Sequence, residues 1–139
     1  MIIEINAVTL ELRNGTLPNN CIDKLEKLKN DAEKIGEDEY ILPVTINLAR
    51  AYIMNSNFDQ AFNLIAGIEK QMRQCQSFYR FTLWMELIKE CSDKSIVGAE
   101  ELYNEYHKIL SNENKNNFNL QPIKYDDYAL LTLKFWSDN

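Results

Sequence analysis

The chain has 139 residues, one domain's worth, and its 45% hydrophobic and 26% charged residues exclude a disordered tail. Only four Gly and three Pro disfavour a many-turned β-sandwich, and no stretch approaches the ~18 apolar residues of a membrane span. The net charge is −6, residues 1–41 alone carry −4 and no stretch is strongly basic, so a nucleic-acid reader with a basic face is excluded and a basic protein partner is the natural match.

Taken in chain order, Ile2 to Leu12 is read as a helix, with a strand as the alternative because Ile3, Ile5, Ala7 and Thr9 also alternate. From Pro18 to Ile35, Cys21, Ile22, Leu25, Leu28, Ala32 and Ile35 recur mostly at three- and four-residue steps between charged residues, which predicts an amphipathic helix. Asn19 or Asn20 is placed to cap it and Gly36 to end it. Glu37-Asp38-Glu39 follows as an acidic turn. A second helix is predicted from Leu42 to Asn55, with Pro43 tolerated in its first turn, and a third from Phe58 to Arg73 after the connection Asn55-Ser56-Asn57. Ser77 is placed to cap a helix running to Cys91, and Ile96 to Leu110 forms the next. Residues 110–123 are polar and asparagine-rich, a loop. Residues 124–136 are read as a C-terminal capping helix, although Tyr128 to Trp136 would also pass as a buried strand.

The residue types that carry chemistry are sparse. Three cysteines (Cys21, Cys75, Cys91) without Cys-x-x-Cys spacing suggest neither a disulfide framework nor a zinc knuckle, and are expected as small core residues. They suit a reducing compartment, and Met1-Ile2-Ile3-Glu4 lacks the basic start of a secretory signal, so a cytoplasmic location is expected. The single histidine, His107, has Asn104 where a Glu-x-x-His metal pair would need its Glu. The carboxylate pairs Glu37-Asp38-Glu39, Glu100-Glu101 and Asp126-Asp127 suit solvated first turns of helices. No phosphate loop, nucleophile elbow or dinucleotide fingerprint occurs. No enzyme activity, metal or cofactor is expected.

Internal repetition is the strongest signal. Cys21, Ala61 and Ala99 fall in register at spacings of 40 and 38 residues, followed by Leu25, Ile65 and Tyr103, by Leu28, Ile68 and Tyr106, and by Ala32, Met72 and Leu110. Two-helix units of this kind bury their apolar faces by stacking. The middle unit, Leu42 to Cys75, resembles a tetratricopeptide repeat (TPR). Leu48-Ala49-x-x-Tyr52 matches that family's Leu-Gly-x-x-Tyr, Phe58 and Ala61 match the start of its second helix, and Ile65 and Ile68 follow at the right steps. Ser56 stands at the usual turn glycine, Thr45 where Trp is common, and no Pro closes the unit.

The resemblance implies an all-α fold over residues 1–139, a short α-solenoid of about three stacked hairpins plus the C-terminal helix. It implies a non-catalytic module binding a protein or peptide in a groove lined by the first helices, with Asn47, Arg50 and Asn55 as candidate groove residues. Eleven of the fifteen aromatic residues lie from Phe78 onward, which adds Tyr79 and Arg80 as a candidate contact patch, and Glu37 and Glu39 are candidates for attracting a basic partner. Two rival roles share these features: a neutralising partner, such as a toxin-immunity protein or secretion chaperone with an acidic surface, and a regulatory subunit of an enzyme complex. Partner identity and oligomeric state stay open.

Overall fold

The computed structural model describes residues 20–75 and 78–108, for Phe78 and Tyr79 the backbone alone. Among the described residues there are six helices and no strand: α1 (Cys21–Ile35), α2 (Asp38–Met54), α3 (Phe58–Gly67), α4 (Glu69–Gln74), α5 (Phe78–Asp93) and α6 (Ala99–His107). The expected N-terminal helix, the Ser77 cap, the polar loop and the C-terminal helix lie outside the described residues.

α1 follows its periodicity. Cys21, Leu25 and Ala32 are buried, Leu28 packs against the core, and the charged positions face solvent. Asn20 precedes the helix in the left-handed region, which Asn tolerates, but its side chain makes no capping bond. Gly36 ends the helix at φ 79°, donating its N–H to the Ala32 carbonyl at 2.9 Å, and a Cβ there would be strained.

α2 starts four residues before the expected Leu42. Glu37 is extended, and its carbonyl accepts the N–H groups of Tyr40 and Ile41 at 3.0 and 3.1 Å, while Asp38 and Glu39 place negative charge in the first turn, where the helix dipole favours it. Pro43 is therefore not in the first turn but one turn further in, at the cost of the hydrogen bond its missing N–H would have given to the Glu39 carbonyl. Every residue from Leu42 to Ala49 is buried, because α1, α3 and α5 all pack on α2. A helix apolar on all sides belongs in an interior.

The predicted helix Phe58–Arg73 is two helices. It breaks at Gly67–Ile68, where glycine's backbone freedom weakens the helix and Ile68 adopts φ −104°, ψ 13°. α4 then resumes with the Met72 N–H on the Ile68 carbonyl at 2.8 Å. The last predicted helix begins at Ala99 rather than Ile96, since Gly98 at φ 89° still belongs to the connection.

The helices pack in sequence: α1 on α2, α2 on α3, α3 on α5 and α5 on α6, with α2 also against α5. The hairpins α2–α3 and α5–α6 turn in the same way. Ser56 and Ser95 are both left-handed, at φ 61° and 58°. The Asn57 N–H bonds the Tyr52 carbonyl at 2.8 Å, and the Ile96 N–H bonds the Cys91 carbonyl at 3.1 Å. This register of 39 residues aligns Thr45 with Trp84, Leu48 with Leu87 and Tyr52 with Cys91. The longer second connection then delays α6, so that its buried set is Ala99, Leu102 and Tyr106, and Tyr103 of the expected stripe is only half-buried. Ala61, by contrast, is fully buried as its register requires.

An aromatic cluster joins the two hairpins. Trp84, Phe81 and Tyr106 are all buried, with Trp84–Tyr106 centroids 5.2 Å apart in an edge arrangement and Phe81–Trp84 centroids 5.5 Å apart. Trp84 Nε1 donates to the Ile65 carbonyl at 2.9 Å, satisfying an acceptor in the last turn of α3. The Tyr106 hydroxyl donates to Glu69 Oε2 at 2.6 Å and accepts from Arg73 Nε, which ties α6 to α4. Burial, reinforced by Glu69, pushes the Tyr106 phenol up to about 12.

Candidate functional site

The structure separates the candidate contact residues into enclosed and exposed groups. Asn47 is fully buried within α2, and Arg80, 9% exposed, is buried at the start of α5. Arg50 is turned toward α5, its Nη1 reaching both carboxylate oxygens of Glu90 at 2.9 and 2.7 Å with only 13% of its side chain exposed. These three polar groups are spent within the fold. α2 is enclosed around Asn47, whereas α5 turns Thr82, Glu86, Lys89, Glu90 and Asp93 at least partly to solvent. Asn55 is exposed at the end of α2, where its N–H caps the Ala51 carbonyl. Tyr79 lies in α5, and its side chain is outside the described residues.

Glu37, Asp38 and Glu39 are all exposed at the α1–α2 connection. The Glu37 carboxyl is held above its ordinary value, first by a hydrogen bond with Glu39 and further by the Glu39 charge. Two carboxylates in contact repel each other once both are ionised, so a nearby cation is welcome.

The cysteines and the histidine are not brought together. All three thiols are free and buried. Burial pushes the Cys91 thiol up to about 11, with the charges of Glu90 and Asp59 adding to the effect, so it is protonated and non-nucleophilic at neutral pH. His107 is exposed and stacks on Tyr103, ring centroids 5.1 Å apart. Among the described residues no three His, Cys, Asp or Glu side chains group to hold a metal ion, and no helix is long and apolar enough to cross a membrane.

Among the described residues, a cleft of about 360 Å³ opens between α1 and α3, floored by α2. Ile41 and Thr45 of α2 lie beneath it, and Leu64 and Ile68 form an aliphatic wall around the helix break at Gly67. On the opposite side Lys29 and Glu33, paired one turn apart on α1, supply charge. Thr45 is fully buried, and its Oγ1 has no hydrogen-bond partner. Helical threonines commonly donate to a carbonyl three or four residues back, and buried polar groups are rarely left unpaired. The sequence marked Thr45 only as the residue standing where the repeat pattern has Trp.

No family model, curated protein or solved structure matches the chain.

Proposed function

We propose that this chain is a non-catalytic helical scaffold that binds a protein or peptide partner, built as a short stack of TPR-like hairpins. The observation that carries the reading is the recurrence of one hairpin turn, at Ser56 and at Ser95, in a 39-residue register that also aligns Leu48 with Leu87. Units related in this way bury their apolar faces against each other and leave their outer faces for recognition. The step from such a stack to partner binding is by analogy with folds of this kind. Because most of α2 is enclosed, recognition falls to the outer helices, the acidic connection and the part of α2 left open between α1 and α3.

A second reading, a neutralising partner such as an immunity protein or secretion chaperone, is favoured by the exposed run Glu37-Asp38-Glu39. Charge of this kind acts over about a Debye length, ~8 Å at physiological salt, and mainly accelerates association. The test is affinity capture with the full chain from its native cells, mass spectrometry, and then association rates with the purified partner at two salt concentrations. The Glu37→Lys, Glu39→Gln double variant is expected to associate more slowly and with a flatter salt dependence. An unchanged rate removes the acidic turn from the interface, and failure to capture any stoichiometric protein partner overturns the scaffold reading.

A further inference from the structure

We propose that the cleft between α1 and α3 is a socket for an aromatic side chain of indole size, presented by the bound protein or peptide; this rests on the scaffold reading above. The chain itself shows what such a space accepts. In the second hairpin Trp84 lies between the preceding outer helix and its own, its N–H bonded to the Ile65 carbonyl of α3 and its ring edge-on to Tyr106 of α6. Thirty-nine residues earlier the same position, between α1 and α3, is held by Thr45. Threonine is too short to fill it, and the space that remains is the cleft of about 360 Å³, within the range of ligand pockets.

The lining fits an indole. Ile41, Leu64 and Ile68 give an aliphatic surface for the ring, and Asn63 and Gln71 add amide groups to the lining. Lys29, held on the rim by its pairing with Glu33, brings a cation to the mouth of the socket, where an aromatic face attracts it. The Thr45 hydroxyl is fully buried and lacks a partner. Aromatic anchors seated in small desolvated pockets carry a large share of binding energy at protein interfaces. The socket is also open at Gly67, where an added Cβ would meet nothing within 4 Å.

The test uses the full ¹⁵N-labelled chain and N-acetyltryptophanamide, with N-acetylleucinamide and N-acetyllysinamide as rivals. The tryptophan probe is expected to shift the amides of Thr45, Leu64 and Gly67 saturably, with a dissociation constant on the order of 1 mM, and at least about tenfold more tightly than either rival. Gly67→Leu places a side chain in open space and is expected to keep the melting temperature while weakening the probe at least about tenfold; Gly67→Ala should leave binding nearly unchanged. Shifts away from the cleft, equal shifts from all three probes, or binding indifferent to Gly67→Leu would each overturn the socket. Partner capture separates the two ideas. A partner held equally by wild type and Gly67→Leu refutes the socket and leaves the scaffold reading standing, whereas a wild-type chain that captures nothing refutes the scaffold reading itself.

Discussion

Replacing Thr45 by valine should make the free protein more stable. The side chain is fully buried, and its hydroxyl finds no hydrogen-bond partner, although the carbonyls of Leu42 and Ile41 lie three and four residues back on the same helix. A buried donor left unmade costs about 1–3 kcal/mol in desolvation. Valine keeps the β-branch and the approximate volume, so the helix and its packing are preserved, and the added methyl contributes up to about 0.8 kcal/mol of apolar burial. The expected gain is therefore about 1–3 kcal/mol. For a chain of this size that corresponds to roughly 3–10 °C in melting temperature. Thermal denaturation followed by circular dichroism, together with urea titration at an unchanged m-value, measures it. The same substitution should leave N-acetyltryptophanamide binding nearly unchanged, since the hydroxyl is fully buried beneath the cleft. A loss of about 1 kcal/mol or more on Thr45→Val would refute the reasoning, because it would show that the hydroxyl already bonds a backbone carbonyl.

Ala61→Leu should cost about 1–3 kcal/mol, because Ala61 is fully buried where α3 meets the core, and extra methylenes there force neighbouring side chains from their rotamers; a neutral melt would place Ala61 at the surface and break the repeat register. The three thiols should react with a disulfide reagent at neutral pH only as fast as the fold opens, since all are buried and Cys91 is pushed up to about 11; rapid modification of three thiols per native chain would contradict their placement.

How much of this was legible depends on how many sides of each helix are covered. α1 is covered on one side, so its apolar stripe, its charged face and its terminal Gly36 could all be read from spacing. The α2–α3 hairpin was legible because Leu48, Ala49, Tyr52, Phe58 and Ala61 follow a known packing pattern. The structure gives Tyr52 a further role, its hydroxyl donating to Glu26 of α1. α2 itself is covered on all sides, and a polar residue in such a helix carries no periodic sign of being inside, which is why Asn47 was expected in a groove and is enclosed. Arg50 was expected in the groove of the first helices and Arg80 beside the aromatic-rich stretch, and neither placement reveals that Glu90 waits across the interface for Arg50. The second hairpin was expected as a helix pair, but its first helix matched no repeat pattern because Ile88 and Cys91 replace the small and aromatic residues; the surviving signal was Trp84 three residues before Leu87. The break at Gly67 was visible as a glycine within an apolar stripe, but a single glycine is often carried inside a helix.

The acidic connection and the cleft are neighbours, which gives them separable parts in one interface. Ile41, beneath the cleft, donates its N–H to the Glu37 carbonyl one turn back, and Glu33 on the rim lies three residues before Gly36. If one partner uses both features, its aromatic ring enters the cleft while its flanking residues meet Glu37, Asp38 and Glu39. Exposed charges steer the encounter and are screened by salt, whereas a desolvated ring must leave its pocket before the complex separates. Glu37→Lys with Glu39→Gln should thus lower the association rate and its salt slope with little change in dissociation. Gly67→Leu should accelerate dissociation at every salt concentration and leave the salt slope of association intact. If both variants alter the same rate constant, the carboxylates and the cleft do not divide recognition in this way, and the ring and the charges are parts of one contact rather than two.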